Sequence, residues 1–425
     1  MFYIFALYIT TLNKKKIIND PVYGFISIPT ELVFDLIEHP YFQRLRYIKQ
    51  LGMTHLVYPG ALHTRFHHAL GAMHLMDMAI ETLRNKGHNI NNDEEEALTI
   101  AILLHDIGHG PFSHALERSI INGVAHEYIS AMLMNKLNEQ FEGKLTMAIS
   151  IFNDTYPRRF LHQLVSSQLD MDRLDYLNRD SFFTGVSEGV ISSDRIIKML
   201  NVKDDHIVVE EKGIYSIEKF LIARRLMYWQ VYLHKTVIAG EELLVRVFKR
   251  CRELTERGDD LFATPALKHF IKNKISRDAF MNEDQHLEIF ASLDDADIMS
   301  AVKVWAGHPD FVLSTLSRNL VQRNLYHVDI TSDQPEKSFV DELTRRAMKE
   351  YGVSEHDASY FVFTTSIRNN AYTAGDGNIG ILMKDGRVHD ITTASDNSNL
   401  EALAKTVKKY ILCYSKGLLE VGSHE

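Results

Sequence analysis

Histidine and aspartate residues are concentrated in one stretch of the sequence, from His63 to His114. Of the 21 histidines in the 425 residues, eight lie within it, at positions 63, 67, 68, 74, 88, 105, 109 and 114. Asp106 follows His105 directly, and the stretch contains no cysteine. Imidazole and carboxylate groups without thiolates suit divalent ions such as Mn, Fe, Mg, Ni or Zn. The stretch therefore predicts part of a metal site.

A buried helix should carry two of these residues. The segment from about Asp93 to Ile107 begins with acidic residues, which suit the positive end of a helix, and continues with an almost entirely apolar body. His105 and Asp106 come at its end, just before a glycine-rich break. A buried carboxylate without a partner is costly, so this pair needs partners. A metal ion would satisfy both residues, whereas the simpler alternative is a pair of capping hydrogen bonds.

Further candidates lie downstream. His126 and Glu127 follow on the next helical segment. The segment Leu161 to Asp180 predicts one amphipathic helix, on which Asp172 shares a face with apolar residues. A carboxylate on such a face is either a salt-bridged core residue or, with the histidines upstream, a metal ligand.

The first 60 residues predict a short apolar segment, an extended piece and a helix. Met1 to Leu12 is too short to span a bilayer and is expected to be a strand or a docking segment. The β-branched residues before Pro29 indicate a short extended piece. From Thr30 to Leu51 apolar residues recur at spacings of three and four, which predicts a helix with Arg44 and Arg46 at its surface.

The remainder of the chain predicts a large helical region followed by a small mixed one. A long helical region is expected from about Ser216 to Glu256, with more helix to about Asn324. Beyond residue 326 three apolar runs, two of them joined by a hairpin turn, indicate strands, and a helix is expected from Leu400 to Tyr414. We therefore predict a mainly α protein with domains at 1–325 and 326–425, the second a small α+β appendage.

Composition restricts the partners. The 47 basic and 56 acidic residues give a net charge of -9, which argues against general nucleic-acid binding. The two cysteines, Cys251 and Cys413, are far apart in sequence and do not support a disulfide framework. We expect a cytoplasmic protein that does not bind a membrane.

The motifs resemble those of a known superfamily. The order of His68, His105, Asp106 and Asp172 resembles the H…HD…D signature of HD-domain phosphohydrolases, in which these residues hold a metal in a helical bundle. Longer strings resemble the deoxynucleoside triphosphate (dNTP) triphosphohydrolases, which include the sterile-alpha-motif/HD-domain enzymes and bacterial dGTPases. These strings are 42–52, 64–68, 105–114, 126–127 and 170–180. The resemblance covers roughly residues 14 to 330 and includes no sterile-alpha-motif region.

The resemblance implies roles for further residues. Arg65, His109 and His114 would contact phosphates, and His126 with Glu127 would supply proton transfer at the α-phosphate. His114 is the alternative acid, so the catalytic set would be His126, Glu127, His114 and His109. The residues that would surround the sugar are Gln50, Tyr176, Asp180 and Tyr232. Mn or Mg is the favoured cofactor.

The resemblance also implies an allosteric nucleotide site between subunits. Its residues would be Lys16, Ile17, Asn19, Glu38, Gln43 and Arg46. Glu38 stands where the family has aspartate, and the acidic Glu210 and Glu211 stand where it has a basic residue. These departures leave the substrate base and the effector open.

We therefore expect a metal-dependent dNTP triphosphohydrolase that is activated by a dNTP and assembles as a dimer-based homo-oligomer, a tetramer or hexamer. Two alternatives remain. One is an HD nucleotidase or phosphodiesterase that acts on another nucleotide, and the other is a dNTP-binding sensor with little hydrolysis.

Overall fold

The computed structural model describes residues 16–112, 115–116, 123–369, 372, 378–397, 400 and 407–420. Helices dominate it, as predicted. In the first three quarters of the chain they are Glu31–Glu38, Pro40–Gln43, Arg65–Asn85, Asn92–Leu104, His126–Gln140, Thr146–Phe152, Arg159–Val165, Met171–Thr184, Ser193–Met199, Ile214–Met227, Lys235–Glu256, Pro265–Lys272, Arg277–Asn282, Asp284–Phe290, Asp295–Trp305 and Phe311–Val321. None of the helices that the structure describes has the length and apolarity needed to cross a membrane.

Three helices form the centre of the fold. The buried helix (Asn92–Leu104) packs with the histidine helix (Arg65–Asn85), which in turn packs against the aspartate helix (Met171–Thr184). The buried helix begins with a capping box, in which Asn91 and Glu94 exchange side-chain to backbone hydrogen bonds of 2.9 and 3.1 Å. Its body from residue 97 to 104 is wholly buried, so it delivers His105 and Asp106 to the interior, as predicted.

The first helical segment is shorter than predicted. A hairpin of strands β1 (Ile17–Asp20) and β2 (Gly24–Ser27) comes first, where the sequence indicated an extended piece. The single helix expected from Thr30 to Leu51 is instead broken, because Pro40 starts a new helix. The residues that follow form tight helical turns at Arg44–Tyr47 and Gly52–Leu56. Met1 to Leu12 lies outside the described residues.

The helix predicted across Leu161 to Asp180 is wrong, because two helices occupy this segment. Asp170 accepts hydrogen bonds of 2.7 Å from the backbone of Ser167 and of Arg173, and so caps the start of the aspartate helix. That helix ends at Gly185, whose φ of 73° suits glycine. Asp172 therefore lies in a first turn, where a carboxylate is favoured by the helix dipole.

The long helix predicted from Ser216 to Glu256 is also divided. The helix Ile214–Met227 passes into a wider turn at Tyr228–Tyr232, and His234 then caps a new one, the long helix (Lys235–Glu256). The imidazole Nδ1 of His234 accepts a hydrogen bond of 3.1 Å from the backbone of Thr236. The wide turn presents tyrosines to a cavity described below.

Two small sheets complete the fold. One contains β3 (Leu200–Lys203), β4 (His206–Glu210), β7 (Gly380–Leu382) and β8 (Val388–Asp390), in that order. The other contains β5 (His327–Thr331), β9 (Val407–Tyr414) and β6 (Val362–Asn369). The later helices are Lys337–Tyr351, Glu355–Ala358, Ile391–Ala394 and Gly417–Glu420.

The helix expected from Leu400 to Tyr414 is wrong, since its second half is strand β9. This strand is rich in β-branched and aromatic residues, and its last four residues are buried between β5 and β6. Residues 401–406 lie outside the described part. Strand β4 pairs with β7, so one sheet joins the segments on either side of the domain boundary that we predict at residue 325. Both cysteines are buried and free.

Candidate metal centre and substrate cavity

Three of the predicted metal ligands meet at the ends of the three central helices. The Nε2 atoms of His68 and His105 lie 3.3 Å apart, and Asp172 Oδ1 lies 3.1 Å from the first and 3.5 Å from the second. One nitrogen or oxygen atom from each of these residues falls within 4.8 Å of those of the other two. Two imidazoles and a carboxylate at this spacing fit a divalent ion.

Asp106 lies at the edge of this group. Its carboxylate is 3.4 Å from His105 Nε2 and 3.8 Å from His68 Nε2. It also forms a 2.5 Å ion pair with Arg65 and lies 3.3 Å from His109 Nε2. With His109 and His126 it forms a second three-residue group that could hold an ion. Asp106 therefore belongs to the second group and lies at the edge of the first.

The electrostatics of the group also suit a cation. Burial opposes ionisation of Asp172, yet hydrogen bonds from His105 and His68 hold its pKa well below the usual value. Burial likewise opposes protonation of His68, but Asp172 and Asp175 raise its pKa to about 10. The buried carboxylates thus need positive charge close to these imidazoles, and a metal ion would supply it.

A chain of buried ion pairs holds His68 from behind. His68 Nδ1 lies 2.7 Å from Asp175 Oδ2, Asp175 is paired with Arg179 at 3.0 Å, and Arg179 is paired with Asp20 of β1 at 2.7 Å. A carboxylate on the second nitrogen fixes the orientation and tautomer of a metal-ligating histidine. These residues are not among those predicted from the sequence, although Asp175 and Arg179 follow Asp172 at helical spacings of three and seven.

Gly71 gives this chain of ion pairs its space, and replacing it tests the arrangement. A Cβ added there would lie 2.0 Å from Asp175 Oδ1 and 2.1 Å from the Arg179 guanidinium. Gly71→Ala is expected to lower the free energy of unfolding by about 1–3 kcal/mol. It should also weaken metal binding by about 10- to 100-fold, because His68 loses its support.

Denaturant unfolding and metal titration would check both effects. Gly307→Ala is the matched control, since the nearest atom to its added Cβ would be 3.8 Å away. Equal behaviour of the two variants would contradict this role of the buried ion pairs.

The turn that carries His105 and Asp106 is fastened by two further residues. Ser130 Oγ donates to the His105 carbonyl at 2.7 Å and accepts from the backbone of Gly108 at 2.9 Å. Arg44 donates to the carbonyls of Ile107 and His109, both at 2.9 Å. The prediction that Arg44 lies at the surface is wrong: its side chain is buried because the carbonyls of this tight turn need donors.

The predicted proton-transfer residues lie beside this turn. The rings of His109 and His126 stack with centroids 3.8 Å apart, and Glu127 Oε1 lies 3.4 Å from His126 Nε2. Burial and the charge of Arg65 hold the pKa of His109 well below its usual value, so this imidazole is neutral. His114 lies outside the described residues, and its phosphate contact remains a prediction.

A cavity of about 460 Å³, a size typical of small-molecule sites, is lined by all three residues of the second group but by only Asp172 of the first. His68 and His105 lie behind Asp172 and do not line it. The predicted ligands, phosphate residues and sugar residues that line it are Asp106, Asp172, Arg65, His109, His126, Gln50, Tyr176, Asp180 and Tyr232. Three further charged residues line the cavity and are not among those predicted from the sequence: Lys49, Arg173 and Glu241. Their charges gave no periodic signal, because they come from three separate elements.

One wall of the cavity is aromatic. The rings of Tyr176 and Tyr232 meet edge to face with centroids 6.3 Å apart. Asp180 accepts 2.8 Å hydrogen bonds from the Tyr232 hydroxyl and from His63, so in this structure its carboxylate holds the tyrosine. The side-chain oxygen of Gln50 is buried and has no hydrogen-bond partner among the described residues, which leaves it available to a ligand.

The predicted allosteric residues lie apart from this cavity. Arg46 is exposed, donates to Gln43 at 2.7 Å and lies over the ring of Phe66 at 3.6 Å. Lys16 lies 4.4 Å from the ring centroid of Phe34. Three of the others are exposed: Ile17, Asn19 and Glu38.

Comparison with known proteins supports the same class of chemistry. A family model described as HD domain matches residues 65–179, and one described as HD associated region matches residues 191–263. The crystal structure of a phosphohydrolase from Bacteroides thetaiotaomicron is similar, with a TM-score of 0.92 and 55% identity over 95% of this chain and 100% of that chain.

Two curated relatives extend the comparison. The uncharacterized protein YwfO of Bacillus subtilis is 31% identical over 401 residues, which cover 90% of this chain and 88% of YwfO. The deoxynucleoside triphosphate triphosphohydrolase SAMHD1 homolog of Dictyostelium discoideum is 32% identical over 268 residues. That match covers 59% of this chain and 52% of the Dictyostelium protein.

Proposed function

The chain belongs to the HD-domain phosphohydrolase family, and we propose that it is a metal-dependent dNTP triphosphohydrolase. It would convert a dNTP and water to a deoxynucleoside and inorganic triphosphate. The observation that carries the proposal is the shared cavity, which brings a metal-binding group, cationic side chains and an aromatic wall into one space. The name of the Dictyostelium relative supports the same substrate class.

The metal would be held by His68, His105, Asp106 and Asp172, and Mn or Mg is the ion we favour. When bound, it would polarise the phosphoryl group and lower the pKa of a water molecule. Cationic side chains must also stabilise the charge that develops on the phosphate oxygens. Arg65 suits this role, because its Nε is buried and has no hydrogen-bond partner among the described residues.

His126 would donate the proton that the leaving group needs. The water oxygen would bond to the α-phosphorus, the bond from that phosphorus to O5′ would break, and O5′ would leave with a proton from the imidazole of His126. The proton that the water loses would pass to solvent, and solvent would return one to His126. Glu127 Oε1, at 3.4 Å, would stabilise the charged imidazole before transfer. His109 stacks on His126 and, being neutral, would offer an N–H to a phosphate oxygen without repelling the charged ring.

The tyrosines would select the sugar. Tyr176 would pack against the deoxyribose, and Tyr232, held by Asp180 at 2.8 Å, would occupy the space of a ribose 2′-hydroxyl. Gln50 would bond the same end of the sugar through its unpartnered oxygen. This wall favours a deoxynucleotide over the other nucleotides that HD enzymes cleave.

An assay of purified protein with each dNTP in Mn or Mg, with all products separated, tests the proposal. The expected products are a deoxynucleoside and triphosphate. Cleavage of only monophosphates or cyclic nucleotides would favour the alternative of a nucleotidase or phosphodiesterase.

We further propose that a dNTP binds between subunits at the patch formed by Lys16, Ile17, Asn19, Glu38, Gln43 and Arg46. The exposed guanidinium of Arg46 and the nearby amide of Gln43 suit a base edge, and Lys16 suits a phosphate. A ligand that binds the assembled state preferentially stabilises it. Light scattering and rate measurements with pairs of dNTPs should therefore show a larger or more stable homo-oligomer and faster turnover. No effect of any dNTP on either quantity would contradict this regulation.

A further inference from the structure

Glu241 is an acidic side chain in the cavity wall that the proposed chemistry does not use. It lies in the second turn of the long helix (Lys235–Glu256), which supplies none of the metal, phosphate or sugar residues. Its Oε1 is 3.9 Å from the point where a Cβ on Gly52 would lie, and Phe112 is 4.0 Å from the same point. Its carboxyl therefore lies beside the Gly52–Leu56 turn at the cavity surface.

In the part of the chain that the structure describes, this carboxyl lacks a partner. Among the described residues, none forms a hydrogen bond with it and no cation lies within ion-pairing distance of it. Burial, together with the charge of neighbouring Glu242, raises its pKa to about 8. At neutral pH it is therefore mostly protonated and offers one O–H donor and one carbonyl acceptor to a ligand. An unpaired polar group in a cavity wall is a functional candidate, because a ligand removes the cost of leaving it unsatisfied.

Of the three parts of a dNTP, the triphosphate, the sugar and the base, only the base remains for Glu241 to contact. The triphosphate is a polyanion and needs the side of the cavity where the cationic Arg65 lies with the imidazoles of His109 and His126. The sugar would pack on Tyr176 and Tyr232. The base remains, and the pairing edge of each nucleobase places a hydrogen-bond donor beside an acceptor. A protonated carboxyl can match such an edge, whereas an ionised one, with acceptors only, would favour the adjacent N–H groups of guanine.

We propose that Glu241 hydrogen-bonds the pairing edge of the nucleobase and thereby sets how the enzyme ranks the four dNTPs. This assignment rests on the proposed dNTP substrate. In its protonated form, Glu241 presents a donor and an acceptor, so it weakens the preference for guanine that an ionised carboxylate would give. Glu241 is thus a specificity-determining residue.

Calorimetry with the four deoxynucleosides and with inorganic triphosphate, none of which is a dNTP substrate, tests the assignment. Glu241→Leu should weaken binding of the deoxynucleosides by about 10-fold or more, while triphosphate binding changes less than about twofold because triphosphate has no base. Glu241→Gln keeps one donor and one acceptor, so it should retain the wild-type order of the four bases. Glu256→Gln is the matched control, since Glu256 is exposed at the end of the same helix and does not line the cavity.

The outcomes separate this inference from the proposed function. Equal weakening of deoxynucleosides and triphosphate in Glu241→Leu would show a structural role and overturn the inference. So would wild-type binding, or a loss seen with the deoxynucleosides but not with the matching 2′,3′-dideoxynucleosides, which would place Glu241 at the sugar. A wild-type protein that binds no deoxynucleoside would contradict the proposed function and this inference together.

Discussion

Asp172→Asn should reduce kcat/KM for every dNTP by more than about 100-fold, beyond the loss typical of residues that only support a metal ligand. Asp172 Oδ1 lies within 3.5 Å of both imidazole Nε2 atoms, and asparagine keeps its shape while removing the negative charge. The bound metal should fall well below one ion per chain in elemental analysis. Circular dichroism should show the fold retained, because the side chain lies at the cavity surface and not in the apolar core.

The control for this variant is Asp278→Asn, which removes an exposed carboxylate from the helix Arg277–Asn282. It should have wild-type metal content and activity. Full activity with full metal content in Asp172→Asn would show that Asp172 is not a metal ligand. A sensor with little hydrolysis would be favoured if Asp172→Ala preserved the full biological effect of the protein.

His126→Gln should reduce kcat by about 100- to 10,000-fold, the range expected when a general acid is lost. The ion held by the four predicted ligands should stay bound, because His126 is not one of them. KM should change little, because glutamine retains a hydrogen-bonding group. Glu127→Gln should have only a small effect, since Glu127 is 63% exposed and water screens its charge.

A substrate whose leaving group needs no proton distinguishes acid catalysis from simple damage to the site. For p-nitrophenyl triphosphate, the His126→Gln variant should retain most of the wild-type rate, because p-nitrophenolate leaves without protonation. An equal loss of rate on this ester and on dNTPs would contradict the role of His126 as the general acid.

Local patterns in the sequence predicted the residues that meet at the cavity better than they predicted the element boundaries. The apolar body of the buried helix required His105 and Asp106 to lie in the interior, and they do. The sequence predicts that Asp172 shares the apolar face of one helix, whereas the structure divides this segment at Asp170. The spacing of Asp172, Tyr176 and Asp180 still places them together, because all three lie on the undivided part.

The remaining features depend on contacts between distant segments. The sequence predicts Arg44 at the surface, because its own helical pattern gives no sign of the distant carbonyls that it contacts. In the structure it donates to the carbonyls of Ile107 and His109. The pairing of Asp20 with Arg179 joins residues 159 positions apart. The sequence of strand β9 predicts a helix because its apolar residues also fit a helical face. Only pairing with β5 and β6 decides between helix and strand.

Hydrolysis in ¹⁸O-labelled water tests the central claim most directly, because it reports which bond the enzyme breaks. Purified enzyme with bound metal should convert a dNTP to unlabelled deoxynucleoside and to triphosphate that carries one ¹⁸O on the former α-phosphorus. Mass spectrometry of both products would show the label. Label in inorganic phosphate or pyrophosphate, with a deoxynucleoside di- or monophosphate as the other product, would contradict triphosphohydrolase chemistry.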